Sequence, residues 1–527
     1  MARTAALALA FLALMAGAAQ ATTFEVVVVP GLTLDDLEDA QELGAVGLLN
    51  PGAGPETSRA LAEASLVRGE VRNSLRGGGP TGPALLETTE GVLGSADGPA
   101  IYVGLPDGGL QPNDLRYPIL VVGPGYEDLL TSEETRIPGL VSVVDVAPTA
   151  LDRDGALGSE PADDAVGELR ALDERIDENN HVRLPATLVV CALAVLLALV
   201  LPAAAVPGLA AALLANLLLG IAGVSGFWTV LAVVVLAVAV GGPGLARALP
   251  TPFALGLALA GVLAAYLLAL GIDGTTVALS PFGPTQNSRY YGLSNLLETL
   301  LLVPALAGAA LLRARLGWLG LVAAALLAFV TVAGNRFGAD GGGAIVLAAG
   351  LAVLAVLLAG GGRRALAVAV AGALVLALGL VALDAATGGS SHVTRALEDG
   401  PGGLADDLVE RVELSWERAT SEWYVALVVA ALLLLFGALV VRLLRRPEPL
   451  AARAIPLAFA AAIVASLVVN DSPTDVLLVG TTCYVAVAAG MLSPRWRASS
   501  SSLSRSSRSW WRPPAAAKTS PPPSPKP

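Results

Sequence analysis

The stretch LPATLVVCALAVLLALVL, residues 184–201, runs for eighteen positions without a charge. A helix rising about 1.5 Å per residue crosses most of a hydrocarbon core roughly 30 Å thick with that many residues. Directly before it stands ADDAVGELRALDERIDENNHVR, residues 162–183, which is dense in acids and arginines. The chain therefore passes from water into lipid at about Arg183, and the charged stretch reads as a helical linker or stalk.

Further apolar segments of crossing length follow at 206–223, 227–241, 252–270, 293–312, 318–333, 344–360, 365–383, 423–441, 455–469 and 476–492. With the first, they predict about eleven transmembrane helices. The positive-inside rule checks this independently. With everything before Arg183 outside, alternate loops carry Arg247, then Arg313 and Arg315, then Arg363 and Arg364, then Arg442, Arg445, Arg446 and Arg453, and last an arginine-rich tail. These are the loops that an odd number of crossings places in the cytoplasm.

The composition agrees, with 55% hydrophobic and 14% charged residues and a mean hydropathy of +0.70. Soluble domains carry about 25% charged residues. The net charge of −12 excludes nucleic acid as a partner. A lone Arg3, an apolar run and AQA ending at Ala21 match a secretory signal with its cleavage site, the other reading being an uncleaved anchor. Cys191 and Cys483 both lie in apolar segments and read as small core residues, not as a disulfide or metal site.

Between the signal and the linker, runs such as FEVVVV, AIYVGL and YPILVVG alternate with helical patterns such as LDDLEDAQE. This is the pattern of a small α/β domain with a mostly parallel sheet. The organisation expected is a signal peptide at 1–21, an extracytoplasmic α/β domain at 22–160, a linker at 161–183, a polytopic domain at 184–492 and a low-complexity cytoplasmic tail at 493–527. The predicted fold class is an α-helical polytopic membrane protein preceded by this exported domain.

Two segments of the exported domain, FEVVVVPGLTLDDL and TRIPGLVSVVDVAPTALDRDG, resemble the alkaline phosphatase superfamily. In that superfamily the first strand ends in a metal-binding aspartate, whereas here Pro30 takes its place. ILVVGPGYED, with Gly123, Pro124 and Gly125, stands where the superfamily carries an Asp-His pair. A two-metal phosphoryl site needs several carboxylates and imidazoles. The resemblance thus implies a phosphatase-like fold without its metals, and no cofactor is expected. Gly-rich turns at Asn50 and Arg76 are either ordinary turns or backbone cradles for an anion.

On the predicted topology, unusual polar residues gather on the outer side. They are Arg289, Tyr290, Tyr291, Asn295 and Glu298 around the fifth span, Arg336 and Asp340 after the sixth, His392 and Arg395 before the ninth, and Asn470 and Asp471 after the tenth. Glu298 lies inside a span, where exposing a carboxylate to hydrocarbon costs several kcal/mol. It needs a partner or water. Asn295 shares its helix face, and Arg289 or Arg336 is positioned to supply the counter-charge. Either these residues line an outward-facing cavity, or they form an ion pair that pins two spans. Pro304 would allow a kink. The segment 404–423 reads as an amphipathic helix with Leu404, Leu408, Val412, Trp416 and Ala419 on its apolar face, either lying on the membrane surface, capping the cavity or packing on the exported domain.

SRYYGLSNLLETLLL and GNRFGADGGGAIVLAAG, followed by a loop with His392 and Arg395, are similar in layout to O-antigen ligase and polymerase membrane proteins. The whole plan also resembles a bacterial family that joins a phosphatase-like exported domain to a polytopic domain. These resemblances imply an inner-membrane protein of the bacterial envelope that binds an anionic or lipid-linked substrate at the outer face. A secondary transporter or flippase, and a scaffold or sensor without catalysis, remain the alternatives, and the oligomeric state is open.

Overall fold

A computed structural model describes residues 24–76, 79–151, 156–286, 290–334, 336–338, 341–386, 400–447, 453–491 and 493. The expected signal peptide, all but Ser493 of the expected tail, and Arg289, Asp340, His392 and Arg395 lie outside the described residues.

The α/β domain contains β1 (Glu25–Val28), α1 (Leu34–Ala40), β2 (Ala45–Asn50), β3 (Glu56–Thr57), α2 (Arg59–Arg68), β4 (Thr89–Glu90), β5 (Ala100–Val103), β6 (Gln111–Pro112), β7 (Tyr117–Val122), β8 (Leu129–Ser132), β9 (Leu140–Ser142), α3 (Val146–Ala150) and β10 (Leu157–Glu160). Thr33 starts α1 with a capping box to Asp36, and the Ser58 hydroxyl caps α2. The main sheet has the order β10-β8-β2-β7-β5-β1-β4, with β9 also paired to β2. Only β7 and β10 run against the rest, so the sheet is mostly parallel.

Alternation along each strand divides the core in two. Val26, Val28, Leu49 and Ile101 face α2 and α3, packing with Ala62, Leu66, Val146 and Ala150. Val27, Val46, Leu48 and Tyr102 face the other way and pack with Leu37 of α1 and with Leu169 and Ile176 from beyond the domain. Ala278, Leu279 and Tyr290, which belong to the helical region, complete this second layer. The sheet is thus cored on one face partly by the membrane portion of the chain.

The helical region comprises α4 (Ala165–Val200), α5 (Pro202–Ile221), α6 (Phe227–Ala248), α7 (Pro252–Ile272), α8 (Thr275–Ala278), α9 (Asn295–Ala333), α10 (Gly341–Ala359), α11 (Arg363–Ala386), α12 (Gly400–Thr420), α13 (Trp423–Leu444), α14 (Ala454–Val469) and α15 (Pro473–Met491). Among the described residues, eight helices are long and apolar enough to cross a membrane, namely α4 to α7, α9, α10, α13 and α15. That differs from the eleven expected. Arg364–Ala373 of α11 is apolar but too short by itself, as far as its residues are described, and α14 has sixteen residues.

The expected fifth and sixth spans are joined in α9, whose 39 residues would reach about 58 Å if straight. Its ends nevertheless meet, because the Leu293 amide donates to the Gly338 carbonyl at 3.1 Å. The reversal is at Gly317, where φ is 64° and ψ is −150°, a conformation open essentially to glycine alone. The helix continues through Pro304, so the hairpin forms at Gly317 and not at the proline. Helix α7 packs against both arms, with Gly256 beside Leu311 and Leu312 and with Thr331 donating to the Leu263 carbonyl.

The charged stretch from Ala165 and the first apolar span form one helix, α4, started by an Asp164 cap on Gly167. It is no free stalk. Arg175, Asn179 and Arg183 recur every four residues and therefore share a face. Residues 277–284, which are mostly non-helical, are buried beside that face. Buried backbone carbonyls need donors. Arg175 Nε and Asn179 Nδ2 both donate to the Leu279 carbonyl, at 3.1 and 2.9 Å, and Arg183 Nη2 donates to that of Pro284 at 2.9 Å. From the bundle side, the Phe282 amide donates to Asn216 Oδ1 at 2.9 Å, and Ser294 Oγ donates to the Phe282 carbonyl at 2.6 Å.

Candidate functional site

Four of the residues singled out from sequence converge at the end of the bundle that carries the α/β domain. Ser294 caps α9, accepting from the Leu297 amide at 3.0 Å, and this fixes Asn295 and Glu298 in the first turn. A carboxylate there is favoured by the helix dipole. Glu298 is only 1% exposed, inside a helix of membrane-crossing character. Asn470 ends α14 in an extended conformation and donates to Glu298 Oε2 at 2.9 Å and to Ser466 Oγ at 2.8 Å.

The next residue, Asp471, accepts from Asn295 Nδ2 at 3.0 Å and faces Arg418 Nη1 at 2.9 Å. Arg418 also donates to the Asp471 carbonyl and to Ser472 Oγ, both at 3.1 Å. One turn into α15, Asp475 lies within the electrostatic reach of both Arg183 and Arg418. Helices α4, α9, α12, α14 and α15 thus each bring a charged or amide side chain to one junction. Asp471 is saturated by its donors and organises the cluster, whereas Glu298 is the deeply buried carboxylate.

The RYYG turn takes a different position from the lining expected of it. Tyr290 is partly buried against the sheet core, its phenol bonded to Ser142 with Glu134 and Asp145 nearby. Burial raises its pKa well above that of an ordinary tyrosine, so the phenol stays neutral. Tyr291 lies under the Arg136 guanidinium, 3.9 Å from ring centre to Cζ, in a cation–π contact. Asn50 Nδ2 donates to the Gln286 carbonyl, and its own Oδ1 accepts from Gly52 at 3.1 Å. The Gly-rich turn after β2 is therefore a latch between domain and bundle.

Arg336 is exposed, and Asp471 takes its counter-charge from Arg418. Arg418, Arg183 and Ser466 were not among the sequence candidates. The signal for Arg418 was its place on α12 opposite the apolar positions, three residues beyond the buried Ser415. Among the described residues no three His, Cys, Asp or Glu side chains are grouped as a metal would need. In the domain, Pro30 is an exposed turn residue, and the buried Asp145 accepts from Ser132 Oγ. A separate crevice of about 300 Å³ lies between the domain and the bundle, lined by Ile137, Leu172, Arg175 and Leu279 among others, and includes none of the candidates.

Comparison with protein-family models, with curated proteins and with solved structures yields no match for this chain.

Proposed function

We propose that this multi-pass membrane protein binds an anionic, lipid-linked envelope substrate at the polar junction built around Glu298, Asn470, Asp471 and Arg418. The observation that carries this reading is the burial of Glu298 at 1% exposure with an amide donor, next to an arginine held between Asp471 and Ser472. Ionisable groups within crossing helices are costly and mark binding sites or relays. Arg418 and Arg183 offer guanidinium groups suited to a phosphate. Asp471 holds Arg418, and the Pro284 carbonyl holds Arg183 within the electrostatic reach of Asp475.

The α/β domain acts, on this reading, as an extracytoplasmic brace with a phosphatase-like fold lacking metal ligands. Support comes from Pro30 at the position of the expected aspartate and from the docking of Tyr290 and Tyr291 onto the sheet. Eleven crossings follow if the hairpin at Gly317 counts as two and if α11 and α14 also cross. The arginine-bearing loops then face the cytoplasm of a bacterial inner-membrane protein.

Mass spectrometry of lipids retained by the purified full chain tests the reading. A polyprenyl phosphate or diphosphate is expected on the wild type and depleted on Arg418→Gln. Retention that is unchanged in Arg418→Gln and Glu298→Gln would overturn it. Uptake of a solute by proteoliposomes, abolished by Glu298→Gln, would establish transport instead.

A further inference from the structure

The polar side of α12 meets the cluster through Arg418, and among the described residues the apolar positions Val409, Val412 and Trp416 are exposed. Val409, Val412 and Trp416 recur at the spacing of one helix face and are 56%, 44% and 71% exposed. Arg418, on the opposite face, is engaged with Asp471 and Ser472, and Ser415, to one side, is buried. After the extended Glu422 the chain enters α13 with Trp423, Tyr424 and Leu427 at 74%, 55% and 60% exposure. The exposed apolar residues of α12 are thus followed, after Ser421 and Glu422, by exposed apolar residues at the start of a membrane-crossing helix. An aromatic pair stands at the corner, where amphipathic rings favour the headgroup level.

The structure assigns this face to the bilayer: α12 lies in the interface plane with Val409, Val412 and Trp416 among acyl chains, as a strap from the lipid to Asp471. The segment Gly400–Thr420 carries five acids against two arginines, so apolar contact and not attraction to anionic lipid holds it down. The contact rests on the membrane setting of the bundle and not on any substrate, so its failure leaves the anion-binding reading standing.

Nitroxide labels at Val409→Cys, Val412→Cys and Trp416→Cys, in the full chain in phosphatidylcholine nanodiscs, test this. A label at Val92→Cys, 68% exposed on the α/β domain, is the aqueous control, and the unsubstituted chain with its buried Cys191 and Cys483 gives the background. The three α12 labels are expected to collide several-fold more with oxygen than with a water-soluble nickel chelate, and Val92→Cys the reverse. Added anionic lipid should not deepen the labels. Preferential nickel collisions at all three would overturn the proposal, as would low collisions with both reagents together with dipolar broadening, which would mark a second copy of the chain on this face.

Discussion

Asn470, at the last turn of one helix, donates its side-chain amide to the buried carboxylate of Glu298, at the first turn of another, across 2.9 Å. Removing the donor leaves a buried acceptor short of a bond, at a cost of about 1–3 kcal/mol. Asn470→Leu should therefore lower the unfolding midpoint of the detergent-solubilised chain clearly. Glu298→Gln, which keeps shape and removes charge, should lower it less. Equal losses would argue that a neutral oxygen of the same shape cannot replace the Glu298 carboxyl as the acceptor.

Arg418 and Asp471 are 22% and 29% exposed at their side chains, so their pair is only partly withdrawn from water. Pairs of that kind contribute at most about 1 kcal/mol. Arg418→Gln is accordingly expected to change thermal stability little while depleting the bound anionic lipid. A large stability loss with unchanged lipid retention would make the arginine a structural pin.

Gly317 carries the reversal of α9 at φ 64° and ψ −150°. A side chain in that region costs about 1–3 kcal/mol. Gly317→Ala should destabilise the protein by that amount in a denaturant titration, whereas Pro304→Ala should be close to neutral or stabilising. The opposite ranking would place the bend at the proline.

Arg136 sits 3.9 Å from the ring centre of Tyr291, across the boundary between the α/β domain and the bundle. A cation–π contact of this kind is worth about 0.5–2 kcal/mol. A double-mutant cycle with Arg136→Ala and Tyr291→Leu should return a coupling in that range, read as amide exchange in Ala278 and Leu279. Strict additivity would show that the two residues do not support each other.

The lipid-facing plan was legible because an apolar run long enough to cross a bilayer has few other uses. The strands were legible from their β-branched runs. The hairpin in α9 was placed only as two neighbouring spans, since a lone glycine at Gly317 does not announce a positive φ. In the cluster, Asn295, Glu298, Asn470 and Asp471 stood out as polar groups beside apolar runs, and the structure brings them together. Arg418 was hidden in a helix whose hydrophobic stripe drew the eye, and Arg183 because it ends a charged stretch where another arginine is unremarkable. Both act through contacts from distant parts of the chain, to Asp471 and Pro284, which no local pattern encodes. Tyr290 was misplaced for the same reason, as its partner Ser142 lies almost 150 residues earlier.

The sheet layer that contains Val27, Leu48 and Tyr102 is closed by Ala278, Leu279 and Tyr290. During synthesis, the strands therefore emerge well before the residues that seal them, and at about 5–20 residues per second the wait lasts several seconds or longer. In that interval one side of the sheet is covered only in part, by α1 and the start of α4, while the first helices insert. Biogenesis should then depend on a holding chaperone or on the pace of insertion, and a secreted fragment ending before Thr275 should remain sticky instead of maturing into an independent unit.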